Sequence, residues 1–188
     1  MPFPGEIVLP LRQHAGNPAT LCVKVGDHVE RGDPVGLADG WVSVPIHASA
    51  SGTVTDIGWW PHPDGSMAMA VRIAVDRYAP QLPRPRMVPH WEGLTTDEVV
   101  RAVQEAGVVG LGGAAFPTHV KLAPPKDFTV RTLIINGAEC EPYLTSDHRI
   151  MAEYPARVLL GIRVMMHAMG VGKCVVGVER NKPDAIAA

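Results

Sequence analysis

A short glycine-rich segment is the first part of the sequence whose residue types could do chemistry. Four of the positions from 107 to 113 are glycine, and AAFPT follows directly. Small residues let backbone N–H groups approach a ligand closely, and Pro117 can open a helix whose first turn attracts an anion, with Lys121 one turn later. A strand does not directly precede the segment, so the usual dinucleotide fingerprint does not fit. The segment predicts a flavin- or nucleotide-binding loop, and a tight turn between two helices is the alternative.

Three polar side chains follow an apolar run further along the chain. Residues 130–135 (VRTLII) have the composition of a strand buried on both faces. Asn136, Glu139 and Glu141 come just after it, where open α/β sheets bind their ligands. An amide suits a flavin edge or a ribityl chain, and carboxylates suit ribose hydroxyls. Together the two segments predict a flavin or nucleotide site, and a solvated acidic loop is the alternative for the second.

The cysteines and histidines give little support to metal chemistry. The three cysteines are far apart and form no C-x-x-C pair, so we expect this chain to ligate neither a zinc knuckle nor an iron–sulfur cluster. His47 has no partner at metal spacing, which favours a surface or hydrogen-bonded role. We expect a passive role for Cys140, which stands between two glutamates.

The elements that would position this site begin near residue 94. Thr95-x-x-Glu98 is a capping-box signature that predicts a helix, and Gly107 is placed to end it. A further helix is predicted from Pro155 to about residue 169, followed by a strand at 173–178 (KCVVGV). Strand, crossover helix and strand imply a parallel pair. Two parallel strands do not make a stable sheet, so we expect a truncated Rossmann-like α/β domain.

The preceding part of the chain has a different texture. From about residue 15 to 78, short runs such as MAMAVRIAV are separated by Gly, Pro and Asp, as in a small all-β unit. Residues 79–93 carry four prolines and predict a stiff linker. We therefore expect a mixed fold with an all-β domain at 1–78, the linker at 79–93 and a partial α/β domain at 94–188.

Composition argues against several classes of protein. The formal net charge of -2 provides no broad attraction for nucleic acid or an anionic membrane surface. The most apolar window, residues 158–178, is interrupted by three basic residues, so it predicts no membrane span. The N-terminus lacks a signal-peptide pattern, and sparse cysteines suit a reducing compartment. We expect a cytoplasmic protein without a nucleic-acid partner, which could still dock on a membrane protein.

The β region resembles a known family of small barrels. Residues 23–36 (VKVGDHVERGDPVG) and 48–54 (ASASGTV) resemble the two halves of biotinyl/lipoyl carrier domains, which implies a barrel-sandwich hybrid. Carriers present a lysine at the tip of an exposed hairpin. The segment between the halves, WVSVPIHA, has no lysine, and Lys24 lies within a strand pattern. We therefore expect an unmodified, structural barrel.

The glycine loop and the strand end carry a more specific resemblance. Residues 110–122 (GLGGAAFPTHVKL) and 133–149 (LIINGAECEPYLTSDHR) resemble RnfC, a component of the Rnf electron-transport complex, and the likeness covers nearly the whole chain. The same core is similar to the flavin- and NADH-binding subunit of respiratory complex I. The resemblance implies a peripheral subunit on the cytoplasmic face of the cell membrane. It would accept a hydride from NADH onto FMN and pass electrons toward iron–sulfur clusters, with the other subunits of a membrane-bound complex as partners.

The resemblance also implies a set of ligand-binding residues, with some departures. Complex I has Asp where this chain has Ala138 and Gly where it has Ala115, and Glu179 is only a loose counterpart of a family glutamate. The family's cysteine-rich segment is missing from this sequence, so the 4Fe-4S clusters of the family are not ligated here, and no catalytic residue is implied. The residues that match flavin or NADH positions are Gly110, Gly112, Gly113, Lys121, Asn136, Glu139 and Glu141.

Two other functions stay open on the sequence. The barrel and a partial α/β domain could serve only as a non-catalytic docking module of such a complex. A cobalamin reductase-type flavoprotein subunit is similar in both domains and also reduces a partner through flavin and clusters. In each case we expect the chain to be inactive as an enzyme on its own.

Overall fold

The computed structural model describes residues 4–82, 90–111, 113–125, 127–139 and 141–188. They group into two compact units. The first is the described part of Met1–Val88 with Arg101–Lys121, and the second is the described part of Pro89–Val100 with Leu122–Ala188. Much of the predicted proline-rich linker (83–89) lies outside the described residues, as do Gly112 and Cys140.

Antiparallel strands build the first unit, which confirms the all-β prediction. They are β1 (Glu6–Pro10), β2 (Thr20–Leu21), β3 (His28–Val29), β4 (Pro34–Leu37), β5 (Ile46–His47), β6 (Gly52–Pro61) and β7 (Met67–Val75). One sheet has the order β1-β7-β6-β3 and the other the order β2-β4-β5. Apolar residues from both sheets form one core, in which Val35, Val71 and Ile73 are fully buried. Burying each such side chain contributes about 1.5–3 kcal/mol.

Strand β1 extends this unit beyond the predicted β region, which started near residue 15. It pairs with β7 along its whole length, with Val8 opposite Arg72. It lies at the edge of the four-stranded sheet, where Pro10 can be accommodated because one side of the strand needs no ladder hydrogen bonds. The prolines around this run mask the strand in the sequence pattern.

The elements that follow are mostly helical. They are a 3-10 helix (Trp91–Gly93), α1 (Thr96–Glu105), α2 (Thr118–Leu122), β8 (Leu133–Asn136), α3 (Ser146–Glu153), α4 (Pro155–Met169), β9 (Cys174–Gly177) and α5 (Pro183–Ala187). Strands β8 and β9 pair in parallel, with Leu133 opposite Cys174. The predicted parallel pair is therefore present, with each strand shorter than its apolar run.

The helix ends follow the local signals in the sequence. The Thr95 N–H donates to the Glu98 carboxylate at 2.8 Å, and the Glu98 N–H donates to the Thr95 hydroxyl at 3.3 Å, so the predicted capping box is confirmed. Helix α4 begins at Pro155 and ends at Gly170, which takes a left-handed conformation. In the described part of the chain, the helices lack the combination of length and apolar character that crossing a membrane requires.

The burial of β8 differs from the prediction of a strand covered on both faces. Leu133 packs with Ile162 of α4, but Ile134 is 72% exposed and Val175 beside it is 46% exposed. Helix α4 covers one face of the pair, and no described element buries these two side chains on the other. The apolar composition of the run is that of a central strand, and the strand is central only when both faces are covered.

Helix α3 was missed by the sequence analysis. Its N-terminal residue Thr145 makes no side-chain cap to it; the Asp147 N–H instead donates to the Glu139 carboxylate at 2.8 Å. His148 of α3 bonds to Asp184 of α5 at 2.8 Å, and this bond lowers the pKa of the Asp184 carboxyl. Both contacts join residues distant in sequence, which local patterns do not reveal.

The division into units differs from the predicted domain boundary at 79–93. Residues 101–121, expected to belong to the α/β domain, group with the barrel. Helix α1 therefore contributes residues to both units.

The tightest backbone approach in the barrel yields a stability prediction. Gly16 and Gly26 have nearly the same backbone angle, with φ of 95° and 94°, but a Cβ on Gly16 would lie 2.0 Å from the Val42 carbonyl oxygen, while one on Gly26 would meet nothing within 4 Å. Gly26→Ala should cost only the left-handed strain of about 1–2 kcal/mol. Gly16→Ala should cost at least roughly 2 kcal/mol more, because the backbone must move. Urea unfolding of the two variants measures the difference, and equal costs would contradict the packing described.

Candidate functional site

The glycine segment forms a loop closed at its base like a hairpin. An antiparallel bridge joins Val109 to Pro117. The Gly110 N–H donates to the Phe116 carbonyl at 2.9 Å, and the Thr118 N–H donates to the Val108 carbonyl at 3.0 Å. We call residues 108–118 the glycine loop. Its ends are fixed next to each other, so its tip is an excursion of a few residues and not a simple helix–helix turn.

The tip of the loop presents backbone in unusual conformations. Gly113 has φ of 118°, and Ala115 has φ of 47°, a left-handed conformation that costs an alanine about 1–2 kcal/mol. Leu111 at the tip is 91% exposed. Within the described residues, the N–H groups of Leu111, Gly113 and Ala114 donate to no backbone carbonyl. Exposed N–H groups on small residues are what a phosphate or a flavin ring edge requires.

Lys121 brings a positive charge to the base of this loop. Its ammonium lies 5.9 Å from the centre of the Phe116 ring, and a Cβ on Gly110 would come within 2.8 Å of it. The structure thus brings together Gly110, Gly113 and Lys121 of the predicted site; Gly112 lies outside the described residues.

The barrel supplies a second wall beside the loop tip. A cavity of about 440 Å³ is lined by the chain from Pro10 to Ala15 on one side and by Gly113, Ala114 and Ala115 on the other. The Ala15 N–H donates to the Ala115 carbonyl at 3.2 Å across it. The loop tip is thereby tied to the barrel through the residue in left-handed conformation.

The strand end belongs to the second unit. Asn136 is the last residue of β8, and its side-chain oxygen accepts a hydrogen bond from the Ala138 N–H at 3.1 Å. This bond fixes the turn and orients the amide group, which is exposed. Glu141 is exposed as well. These two predicted residues can reach a ligand in solvent.

Glu139 has a different environment from its neighbours. Its carboxylate accepts a hydrogen bond from the Lys182 ammonium at 2.6 Å, and Lys182 also lies 3.0 Å from Glu179. The side chains of Glu139 and Lys182 are only 4% and 10% exposed. The second Glu139 oxygen accepts from the Asp147 N–H at the start of α3. The Glu139 carboxylate therefore already has protein partners at both oxygens.

The electrostatics of this cluster follow from the ion pairs. The hydrogen bond from Lys182 lowers the pKa of Glu139, and the bond from the same ammonium lowers the pKa of Glu179. The two carboxylates raise the pKa of Lys182, the bond to Glu139 most of all. All three groups are therefore charged at neutral pH. Lys182 was missed by the sequence analysis, although its i,i+3 spacing from Glu179 could have suggested it.

The described residues offer a donor set that fits FMN. The exposed N–H groups of the loop tip suit its phosphate or ring edge, the Asn136 amide suits its polar edge or ribityl chain, and Lys121 provides a cation for a negative charge. Open space around Gly113, with no heavy atom within 4 Å of an added Cβ, leaves room for a ligand. The loop residues lie in the first unit and the strand-end residues in the second.

Comparison with known proteins finds two families along the chain. Residues 1–78 match the RnfC barrel-sandwich hybrid domain, and residues 103–188 match the Nuo51 FMN-binding domain. The second match contains both the glycine loop and the strand end. The first agrees with the two antiparallel sheets and their shared core, and it confirms the barrel-sandwich hybrid prediction.

Individual relatives are similar over the whole chain, and each is the RnfC-type component of its complex. The chain is 44% identical over 190 residues to that of the proton-translocating ferredoxin:NAD(+) oxidoreductase complex of Clostridium ljungdahlii, covering 100% of this chain and 41% of that protein. It is 45% identical over 185 residues to that of the Na(+)-translocating ferredoxin:NAD(+) oxidoreductase complex of Acetobacterium woodii, covering 98% and 42%. It is 43% identical over 193 residues to that of the ion-translocating oxidoreductase complex of Rhodobacter capsulatus, covering 100% and 36%. The chain thus spans about two fifths of the length of these curated relatives.

The left-handed alanine gives a prediction for the loop. Ala115→Gly should raise the free energy of unfolding by up to about 1 kcal/mol, because glycine adopts this conformation without the steric cost. Ala114, whose φ is not positive, is the matched control, and Ala114→Gly should lower it by about 0.5–1 kcal/mol. Urea unfolding of both variants provides the test. A loss of stability in both would mean that Ala115 is not held in this conformation.

The buried ion pairs give a prediction about pH. The lowered pKa of Glu139 and Glu179 means that their contribution is present above the unfolded value of about 4.3 and is lost as pH falls. The raised pKa of Lys182 means that its contribution is present below about 10.4 and is lost as pH rises through the folded value. Lys182→Met should therefore destabilise the protein most between these limits, with a difference from wild type that shrinks outside them.

Urea midpoints measured from acid to alkaline pH test this expectation. Arg149→Met is the matched control, since it removes an exposed pair with Glu153, and it should change stability by no more than about 0.5 kcal/mol at any pH. A Lys182→Met effect that is constant across the pH range would show that the ion pairs do not cause it.

Proposed function

The chain belongs to the RnfC family, and on this basis we propose that it forms the part of that Rnf component that binds FMN and receives a hydride from NADH. The observation that carries the proposal is the glycine loop, whose exposed N–H groups stand next to Lys121 within a match to an FMN-binding domain. The names of the relatives above, which include ferredoxin:NAD(+) oxidoreductases, support the choice of reaction. We further propose that β8 and β9 belong to a Rossmann-like α/β domain.

The residues of the chain would act by binding and orienting. FMN, when bound, supplies the conversion between a two-electron hydride and single electrons, while the protein supplies position and charge. The loop tip donates backbone N–H groups, and Lys121 balances negative charge on the phosphate or the reduced ring. The Asn136 amide donates to a polar edge of the flavin, and the Glu141 carboxylate accepts from ribose hydroxyls of NADH.

Glu139 would support this site without donating its carboxylate to the ligand. Its two oxygens are engaged by Lys182 and by the start of α3, and a ligand hydroxyl would have to compete with a charged partner. Fixing both elements behind the strand end keeps the turn after Asn136 in place. We therefore assign ligand contact to Asn136 and Glu141 and a supporting role to Glu139.

The proposed reaction needs partners that accept electrons. We propose that electrons pass to iron–sulfur clusters that this chain does not ligate, and that the protein assembles with the other subunits of a membrane-bound ion-translocating complex. A peripheral position on the cytoplasmic face fits this assembly, because NADH is a cytoplasmic reductant. The relatives are named as subunits of such complexes.

Titration with FMN tests the proposal and the role of Asn136. Binding to the wild-type chain should change flavin fluorescence at micromolar concentrations. Asn136→Asp keeps the oxygen that bonds to the Ala138 N–H but removes the amide donor and adds a negative charge, so it should weaken FMN binding about tenfold or more. Glu141→Gln should weaken NADH binding about tenfold and leave the FMN affinity unchanged.

A matched control separates these effects from a general change of charge. Glu153→Gln removes an exposed glutamate of the same unit, on α3, and should alter neither affinity. The absence of any flavin response in the wild-type chain would overturn the binding proposal. An unchanged FMN affinity in Asn136→Asp would remove that residue from the site.

A further inference from the structure

The connection between β4 and β5 has no role in the function proposed so far. In carrier domains the segment between the two halves presents the modified lysine, whereas here residues 38–45 contain none. Its backbone carbonyls instead accept hydrogen bonds from side chains on both sides of the glycine loop. We call residues 38–45 the platform.

The first contact comes from the helix before the loop. The Gln104 amide donates to the Gly40 carbonyl at 3.2 Å and to the Ser43 carbonyl at 3.0 Å. Gly107, which ends this helix, packs so closely that a Cβ there would lie 3.0 Å from the Pro45 carbonyl oxygen. The start of the loop is thereby held to three carbonyl groups of the platform.

The second contact comes from the helix after the loop. His119 is completely buried, and its Nε2 donates to the Trp41 carbonyl at 2.6 Å. The rings of His119 and Trp41 meet edge to face with centroids 4.9 Å apart. The Nδ1 atom finds no partner among the residues that the structure describes, which assigns the proton to Nε2. The end of the loop is fixed to the same segment as its start.

The third contact reaches the loop tip. His14 is buried, and its Nε2 lies 3.0 Å from the Val44 carbonyl oxygen of the platform. The next residue, Ala15, donates its N–H to the Ala115 carbonyl. The chain then turns at Gly16, where only glycine fits against Val42. The platform thus supports the tip through one intervening turn of the barrel.

We infer that this platform is the positioning element of the glycine loop, so that the barrel sets how tightly the loop binds its ligand. The loop has few contacts of its own beyond the bonds at its base, and its left-handed Ala115 needs an external partner to persist. Gln104 and His119 act as positioning residues through the loop and need not touch the ligand. The inference deepens the proposed function and rests on it for the identity of the ligand.

Two pairs of variants separate positioning from general stability. His119→Leu removes the donor at similar size, and His119→Gln keeps a donor of similar reach. Gln104→Met removes the two bonds to Gly40 and Ser43 at similar length. Ile73→Val weakens the same barrel core without touching the platform or the loop. The full chain is used for all of them.

Hydrogen–deuterium exchange of the ligand-free chain provides the first measurement. The Gly110 and Thr118 amides, which close the loop, should exchange about tenfold faster in His119→Leu and Gln104→Met, because local opening becomes easier. They should exchange near the wild-type rate in His119→Gln and Ile73→Val. Wild-type rates in both His119→Leu and Gln104→Met would overturn the inference.

FMN titration of the same variants provides the second. The dissociation constant should rise about tenfold in His119→Leu, recover in His119→Gln and stay near wild type in Ile73→Val. An equal rise in Ile73→Val would mean that loss of stability is the cause, which contradicts positioning. If the wild-type chain binds no FMN, the proposed function fails, and the exchange rates still decide whether the platform fixes the loop.

Discussion

Carbonyl groups in an irregular, partly buried segment of backbone must find hydrogen-bond donors, and much of the first unit follows from how this chain meets that need. The segment between β4 and β5 turns away from its sheet, so its carbonyls have no ladder partners. Side chains from Gln104 and His119 supply the donors. Since these residues flank the glycine loop, satisfying the barrel also holds the loop, and residues 101–121 group with the barrel for this reason.

The second unit depends on a comparable arrangement built from charge. Lys182 lies between Glu139 and Glu179, and Glu139 in turn accepts from the first turn of α3. A carboxylate at the start of a helix also interacts favourably with the helix dipole. One side chain therefore joins the strand end, α3 and the segment before α5, and the exposed Asn136 and Glu141 are carried on a backbone that is fixed from behind.

Sequence patterns predict well those features that depend on neighbours along the chain. The Thr95 capping box, the helix end at Gly170, the turns of the barrel and the parallel pair were all readable locally. The role of Glu139, the start of α3 and the exposure of Ile134 depend on residues about 40 positions away or on which faces are covered, and patterns of single segments carry no such information. The candidate site shows the same division, because the glycines and polar residues are visible in the sequence while their supports are not.

Trp41 gives the molecule an optical reporter at the place where the loop is held. Its carbonyl accepts the His119 bond, its indole meets the imidazole edge to face, and the side chain is 51% exposed. Indole emission is sensitive to solvent and to neighbouring polar rings, so undocking of His119 would change the emission colour and yield. Trp41 therefore lets loop attachment be followed by intrinsic fluorescence, without a label, once the other three tryptophans are replaced by phenylalanine.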